Sequence, residues 1–143
     1  RMRLLLDANE YIYALGDVRR PSCEQLLRFL AASRIHEVRV ERTIVREVCR
    51  NLPKSHHRAF FGILSGIVEG DCGIDEDFVV PHHVAQHYQD IGFKEGDAHI
   101  AAYAQVIGVE LILSENRRHF HAMAHHLPFK VADAEGFLRR HPR

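Results

Sequence analysis

Three acidic side chains occur where an α/β protein places its functional groups. Asp7 follows the apolar run at residues 4–6, Glu47 lies in a stretch of helical period, and Asp97 opens a stretch rich in alanine. In such folds, functional groups collect beyond the carboxyl ends of parallel strands and at neighbouring helix starts. Carboxylates that converge there repel one another, so they stay ionised beside a hard cation such as Mg²⁺ or Mn²⁺. The arrangement predicts a metal-dependent phosphodiesterase.

A fourth polar group follows a second apolar run. Ser114, Glu115 and Asn116 come directly after residues 111–113. Asn116 is neutral, so its amide can contact a metal ion or orient water without adding charge. The hydroxyl of Ser114 can hydrogen-bond a carboxylate or a phosphate, or it can cap the next helix. These residues extend the predicted site to a second strand end.

Phosphodiester cleavage is the chemistry that suits these residues. A Mg²⁺ ion held by carboxylates polarises the phosphate and lowers the pKa of a bound water. Asp7, Glu47 and Asp97 supply the hard oxygen ligands that such an ion prefers. Each acid also has a simpler interpretation. Asp7 and Asp97 can each be the N-cap of a helix, and Glu47 can be a solvated charge.

The apolar periodicity predicts alternating strands and helices. Strands are predicted at residues 3–7, 38–40, 78–80, 109–113 and 129–131. Helices are predicted at residues 9–15, from 22, at 44–52, 60–68, 82–90, from 97, and at 117–126 and 134–140. Ser22 is the predicted N-cap of the second helix, with Gln25 completing a capping box, and Gly70 is the predicted stop of the fourth. The alternation indicates a three-layer α/β/α protein with a central parallel sheet of about five strands.

Composition and charge narrow the class of protein. The chain has 143 residues with 46% hydrophobic and 27% charged, which fits one domain over residues 1–143. Lys+Arg and Asp+Glu are both 19, so contact with nucleic acid must come from a local patch. The three cysteines are widely spaced, which argues against a disulfide framework or a zinc knuckle. Without a membrane-length apolar run, the sequence predicts a cytoplasmic protein.

One cluster of histidines and two of the cysteines carry no predicted chemistry. His83 and His87 share a helical face and adjoin His82, yet no acidic or cysteine partner has matching spacing, so we expect surface histidines. Cys49 and Cys72 are expected to be core residues.

The four motifs, in this order, resemble those of the PIN-domain ribonucleases, and among them the VapC-like toxins of bacterial and archaeal toxin–antitoxin modules. The resemblance runs from Leu4 to about Val131. Residues 4–9 resemble the opening strand with its first metal-binding aspartate and a small or polar residue two places on. Glu47 matches the glutamate on the helix after the second strand. Residues 97–102 resemble the third acidic motif, and residues 113–120 the fourth.

The resemblance implies a function and a set of site residues. It implies a Mg²⁺- or Mn²⁺-dependent endoribonuclease that leaves a 5′-phosphate and a 3′-hydroxyl, a protein antitoxin as partner, and a homodimer. Asp7, Glu47 and Asp97 would hold the metal, and Asn116 would join them in catalysis. The implied substrate contacts are Asn9, Ser114, Arg117 and Arg118, the last two as phosphate ligands.

The fourth motif departs from the family pattern. Relatives commonly carry an aspartate just before the phenylalanine, where this chain has His119 before Phe120. The departure implies one well-bound metal with a weak second one, or lower activity. It also supports an alternative, a catalytically weak PIN-like module that binds RNA or assembles with partners. A phosphoacceptor receiver domain is the least favoured, because the first strand ends in one acid and no lysine follows Leu113.

Overall fold

The computed structural model describes residues 1–68 and 74–141. The strands are β1 (Arg3–Leu6), β2 (Glu37–Glu41), β3 (Ile74–Asp75), β4 (Leu111–Leu113) and β5 (Lys130–Ala132). The helices are α1 (Ala8–Leu15), α2 (Pro21–Ser33), α3 (Arg42–Asn51), α4 (His57–Ile67), α5 (His82–Asp90), α6 (Glu95–Ile107) and α7 (Ala134–Arg140). Short 3₁₀ turns at Lys54–His56 and Ala124–His126 and a π-helical turn at Arg117–His121 complete the described elements.

The five strands form one parallel sheet in the order β3-β2-β1-β4-β5. Strand β1 is central, with Leu5 opposite Arg39 of β2 on one side and Ile112 of β4 on the other. Leu4, Leu5 and Leu6 are completely buried, as expected for a strand covered on both faces. The predicted α/β fold with a central parallel sheet flanked by helices is confirmed.

The strand order separates this fold from the receiver domain. Receivers follow the flavodoxin-like order 2-1-3-4-5, in which the third strand lies beside the first. Here β3 is at the edge beside β2, and β4 takes the place next to β1. The receiver interpretation is therefore wrong.

Helix α6 lies close against the rest of the protein through a row of small residues. The side chains of Ala98, Ala101, Ala102 and Ala104 are completely buried. The helix begins at Glu95, and its N-cap position is Lys94, which makes no side-chain capping bond. Asp97 therefore lies inside the first turn, and its interpretation as an N-cap is wrong. A carboxylate there still benefits from the positive end of the helix dipole.

The start of α2 differs from the prediction. The helix begins at Pro21 after Arg20 as N-cap residue, so Ser22 lies inside the first turn rather than capping it. Proline at the first helical position has its φ already fixed in the helical range and gives up an N–H that has no helical partner. This preference outweighs the capping box that Ser22 and Gln25 suggest.

The third strand lies earlier in the chain than predicted. Residues 78–80 are not a strand, and Val79 is 84% exposed. Ile74–Asp75 pairs with β2 instead, and the carboxylate of Asp75 accepts hydrogen bonds from Arg39 at 2.7 Å and from the hydroxyl of Tyr103. These polar partners fix the edge strand at a position that an apolar run does not reveal.

Two helix predictions end differently in the structure. Helix α4 stops at Ile67 because Val68 is extended and forms a parallel bridge with Val38. Gly70, its predicted stop, and Cys72 lie outside the described residues. The helix predicted at residues 117–126 is replaced by the π-helical turn and a 3₁₀ turn, since the side-chain oxygen of Asn116 accepts the N–H groups of Arg118 and His119.

The remaining predictions about surface and core hold for the described residues. His82, His83 and His87 are exposed, and Cys49 is half-buried against the core. Within the described part of the chain, no helix has the length and apolar character needed to cross a membrane.

Candidate active site

Asp7 joins the two central strands at their carboxyl ends. Its backbone N–H donates to the carbonyl of Leu113 at 2.9 Å, so β1 and β4 end side by side. One carboxylate oxygen accepts the N–H of Ala8 at 2.8 Å, and the other accepts the hydroxyl of Ser114 at 2.7 Å. Asp7 is thus the N-cap of α1, as its simpler interpretation predicts, and it also lies at the predicted site.

Asp7, Glu47 and Asp97 repel one another. Burial raises the pKa of Asp7 to about 6, against the hydrogen bonds from Ser114 and Ala8, and the charges of Glu47 and Asp97 raise it further. Burial also raises the pKa of Glu47, with Asp97 adding to the effect. The charges of Glu47 on α3 and Asp97 on α6 therefore act on the Asp7 carboxyl at the end of β1.

The three carboxylates are close but not gathered to the spacing of a closed metal site. Among the described residues, the one group of three or more potential ligands whose ligand atoms all lie within 4.8 Å is a different one, Glu10, Cys23 and Glu115. Glu47 is exposed, so its long side chain is free to rotate toward Asp7 and Asp97. A cation bound by all three acids requires their oxygens to come closer together than they are here.

Asn116 and His119 complete this face of the site beside Asp97. The Nδ1 atom of His119 pairs with a carboxylate oxygen of Asp97 and also lies 3.0 Å from the amide nitrogen of Asn116. Nδ1 can donate to Asp97 or accept from Asn116, but not both at once. Burial raises the pKa of Asp97, whereas His119 and Lys94 lower it. The imidazole therefore contacts one of the two carboxylate oxygens of Asp97.

The predicted substrate contacts divide into buried and exposed groups. Ser114 is completely buried, and its hydroxyl donates a hydrogen bond to the carboxylate of Asp7. A carboxylate contact was one of the alternatives predicted for this hydroxyl. Asn9 is half-buried and accepts the N–H of Glu115 at 3.3 Å. Arg118 is exposed on the π-helical turn, and the side chain of Arg117 lies outside the described set. Of the two predicted phosphate contacts, Arg118 is the one whose side chain is described, and it is exposed.

Glu41 and His99 form a contact that the sequence did not reveal. Glu41 is 3% exposed and accepts the N–H of Ile44 at 3.0 Å, which caps α3. Its other oxygen lies 3.2 Å from Nε2 of His99 on α6. The pair joins the two helices that carry Glu47 and Asp97. A glutamate three residues before the first apolar position of a helix is the local signal for the cap, but its distant partner has none.

Glu115 turns away from Asp7 and toward α1, α2 and α7. One carboxylate oxygen accepts the N–H of Ala134 at 3.0 Å, and the other lies 3.7 Å from Arg20. Next to it are Glu10 and Cys23, both completely buried. Glu10 was not predicted as a functional residue, although an acid one turn after Asp7 among apolar neighbours was a usable signal.

Comparison with known proteins rests on structure. No protein-family model matches the sequence, and no curated protein sequence matches it. Three solved structures cover 92% of this chain. VapBC2 from Rickettsia felis bound to a promoter DNA fragment and FitAcB from Neisseria gonorrhoeae each match at 15% identity and a TM-score of 0.64, over 98% of their chains. FitAB bound to the IR36 DNA fragment matches at 17% identity and a TM-score of 0.62, over 94% of its chain.

The chain has a PIN-like fold. At this level of identity the likeness establishes the fold and nothing beyond it, so it confirms the architecture that the four motifs predicted. The roles of Asp7, Glu47, Asp97 and Asn116, the metal ion, the RNA substrate and the partner stay predictions. On this fold Asp7 follows the central strand β1 and Asn116 lies in the turn after the neighbouring strand β4, while Glu47 and Asp97 lie on α3 and α6.

Proposed function

We propose that this protein is a Mg²⁺- or Mn²⁺-dependent endoribonuclease and the toxin of a toxin–antitoxin module. The observation that carries the proposal is the position of Asp7 at the carboxyl end of β1, where burial and the charges of Glu47 and Asp97 raise its pKa. The PIN-like fold supports it. Such a group is unstable as three anions and is stabilised by a divalent cation.

The residues fit a hard cation. Asp7, Glu47 and Asp97 offer carboxylate oxygens, and Asn116 adds an amide, with no sulfur or ligating imidazole among the proposed set. A cation bound there supplies positive charge to the phosphate and lowers the pKa of a bound water. The proposed holders are the three acids, of which Asp7 is the one fixed by two hydrogen bonds.

The protein's own residues orient the substrate and the first ligand. Ser114 holds the Asp7 carboxylate from β4, and the turn after it is held by the Asn116 side chain. Arg118 stands exposed on that turn, where its guanidinium can pair with a phosphate of the RNA backbone. We propose that Arg117 and Asn9 also contact the RNA, as the family resemblance implies.

Asp97→Asn tests the proposal directly. The change removes one anionic ligand without changing core volume, so we expect cleavage of a labelled structured RNA in Mg²⁺ or Mn²⁺ to fall at least about 100-fold, since even outer-shell changes cost about 10–100-fold at metal sites. The control is Asp17→Asn at an exposed aspartate. Undiminished cleavage by pure, folded Asp97→Asn protein would sink the proposal.

We further propose that an antitoxin segment inhibits the protein by two contacts. An arginine or lysine would pair with Asp7, Glu47 and Asp97, because a guanidinium matches carboxylates with paired hydrogen bonds. An apolar side of the segment would bind a groove of about 390 Å³ between α1, α2 and α4, lined among others by Ala14, Leu15, Leu27, Ala31, Gly62 and Ile63.

Competition with Mg²⁺ tests the first of these contacts. If the segment uses the carboxylates, its inhibition and affinity should fall as Mg²⁺ rises, since both need the same oxygens. A variant with Ala at Asp7, Glu47 and Asp97 should bind the partner more weakly. Full-strength binding by that variant, insensitive to Mg²⁺, would show that the segment binds elsewhere. A separate measurement, sedimentation of the free protein, tests the homodimer that the family resemblance implies.

The second candidate function is a PIN-like module with little catalysis, which binds RNA or assembles with partners. The contact between His119 and Asp97 favours it, because the imidazole occupies one of the two Asp97 oxygens that could bind a metal ion. Metal titration followed by RNA cleavage separates the two. RNA binding without cleavage at saturating Mg²⁺ and Mn²⁺ would favour the module.

A further inference from the structure

A second group of potential ligands lies behind the acidic site, where α1, α2 and the segment after β4 meet. It consists of Glu10, Cys23 and Glu115, whose ligand atoms all lie within 4.8 Å of one another. Glu10 and Cys23 are completely buried, and the Glu115 side chain is 7% exposed. The thiol of Cys23 lies 3.8 Å from one oxygen of Glu10. The proposed nuclease chemistry uses none of the three.

One oxygen in this cluster lacks a partner. Oε2 of Glu10 is buried and has no hydrogen-bond donor among the described residues. Burial first, and then the facing carboxylate of Glu115, raise the pKa of Glu10 well above its usual range. A buried carboxylate oxygen that faces another carboxylate is strongly disfavoured unless a proton or a cation lies between them.

The thiol of Cys23 favours a cation that binds sulfur as well as oxygen. Mg²⁺ and Ca²⁺ select oxygen ligands, whereas Zn²⁺ and related ions accept thiolate together with carboxylate. Sulfur and oxygen bound to one tetrahedral Zn²⁺ at about 2.3 and 2.0 Å stand roughly 3.5 Å apart, close to the separation seen here. The charges also balance. The three ligands carry three negative charges when ionised, and a divalent ion together with Arg20, which lies 3.7 Å from Glu115, supplies three positive charges.

We propose that Glu10, Cys23 and Glu115 bind one thiophilic divalent cation of the Zn²⁺ class, at a site separate from Asp7, Glu47 and Asp97. Binding forms bonds from the ion to the Cys23 sulfur and to the two carboxylates. The thiol proton and the carboxyl proton of Glu10 pass to the solvent, so no oxidant or reductant is needed. The bound ion joins α1 and α2 to the segment that follows β4, and so braces the supports of Asp7 and Asn116.

Co²⁺ is the probe, because thiolate-to-cobalt charge transfer absorbs in the near ultraviolet and an oxygen-only site gives no such band. The full chain is titrated with Co²⁺ under saturating Mg²⁺, which fills the carboxylate site. We expect the band to grow to one equivalent of Co²⁺ per chain and to be displaced by Zn²⁺. It should be lost in Cys23→Ser and weakened at least about tenfold in affinity in Glu115→Gln.

Cys49→Ser and Cys72→Ser are the matched controls, and both should keep the band. Thermal unfolding gives a second readout, since Zn²⁺ should raise the Tm of the parent protein and of Cys49→Ser but not that of Cys23→Ser or Glu115→Gln. The absence of the band in the parent protein overturns the proposal and leaves a shared proton in its place. A band that survives Cys23→Ser, or that is lost in a control, overturns it as well. Neither result depends on RNA cleavage, so the fate of the proposed nuclease function is read separately.

Discussion

Asp7 is buried at the end of the central strand while two other carboxylates oppose its charge. Its pKa rises from the usual 3.8 to about 6 in the folded protein. Because the folded-state pKa is above the unfolded one, the folded state binds the proton more tightly. The stability that results is fully present below pH 3.8 and is lost as the pH rises through 6. In the absence of metal, the charged Asp7 therefore weakens the fold at neutral pH.

Asp7→Asn tests this loss. In chelator, we expect the parent protein to lose about 2 kcal/mol of unfolding free energy through Asp7 between pH 4.5 and 7.5. The Asn variant should not lose that part, so it should be the more stable protein at pH 7.5. Urea unfolding at the two pH values measures the difference, and the exposed Asp17→Asn serves as control. Equal pH dependence in the parent and in Asp7→Asn would contradict the assignment.

His119 is the second residue whose environment yields a prediction. Its imidazole pairs with Asp97, and a protonated imidazole repels a cation. His119→Asp should tighten metal binding at the site and raise cleavage at equal Mg²⁺, by about tenfold if the change supplies one further ligand. Calorimetric titration measures affinity and stoichiometry, with His125→Asp at an exposed histidine as control. Identical affinity and stoichiometry in the parent and in His119→Asp would remove the idea.

Helix α6 positions Asp97 through its alanine row rather than through a cap. Ala101 is completely buried, so Ala101→Leu forces extra volume between this helix and the rest of the protein. Overpacking of this kind costs about 1–3 kcal/mol, and we expect cleavage to fall as well because Asp97 is displaced. Val106→Leu, on the exposed side of the same helix, should change neither. Chemical unfolding and RNA cleavage are measured together, and full activity in Ala101→Leu would show that Asp97 does not depend on this packing.

The sequence predicted some elements better than others, for physical reasons. Strands β1 and β4 are short apolar runs buried on both faces, so local hydrophobicity was sufficient to find them. Residues 78–80 are equally apolar but lie outside the sheet, because Asp75 finds polar partners in Arg39 and Tyr103 that are distant in sequence. At the proposed site, each acid is suggested by its own neighbours in the sequence, and its role stays a prediction. The cluster of Glu10, Cys23 and Glu115 could not, since it depends on how α1 and α2 pack.

The groove between α1, α2 and α4 is open at two glycines. A Cβ atom added at Gly62 or at Gly66 meets no atom within 4 Å. Gly62→Leu should therefore fold normally and, because glycine is a poor helix former, should gain about 0.5–1 kcal/mol of stability. It should also weaken the proposed antitoxin contact at least about tenfold, because the leucine occupies the groove.

Gly62→Ala separates these two effects. The alanine variant should gain similar stability but leave most of the groove free, so its inhibition by the partner should stay near that of the parent protein. Thermal unfolding and inhibition of cleavage are measured on both variants. Equal inhibition of Gly62→Leu and of the parent would place the partner elsewhere.

Strand β1 is synthesised before the other strands. One of its two neighbours in the sheet is β4, which is formed by residues 111–113 and is therefore made much later. The bond between Asp7 and Ser114 spans 107 positions of the sequence. Long-range parallel pairing of this kind slows folding, and it cannot begin before the later strand has been synthesised. A nascent chain therefore lacks an assembled centre until most of the polypeptide exists. For the ribonuclease proposed above, this topology delays the onset of activity and gives the proposed antitoxin an interval in which to bind.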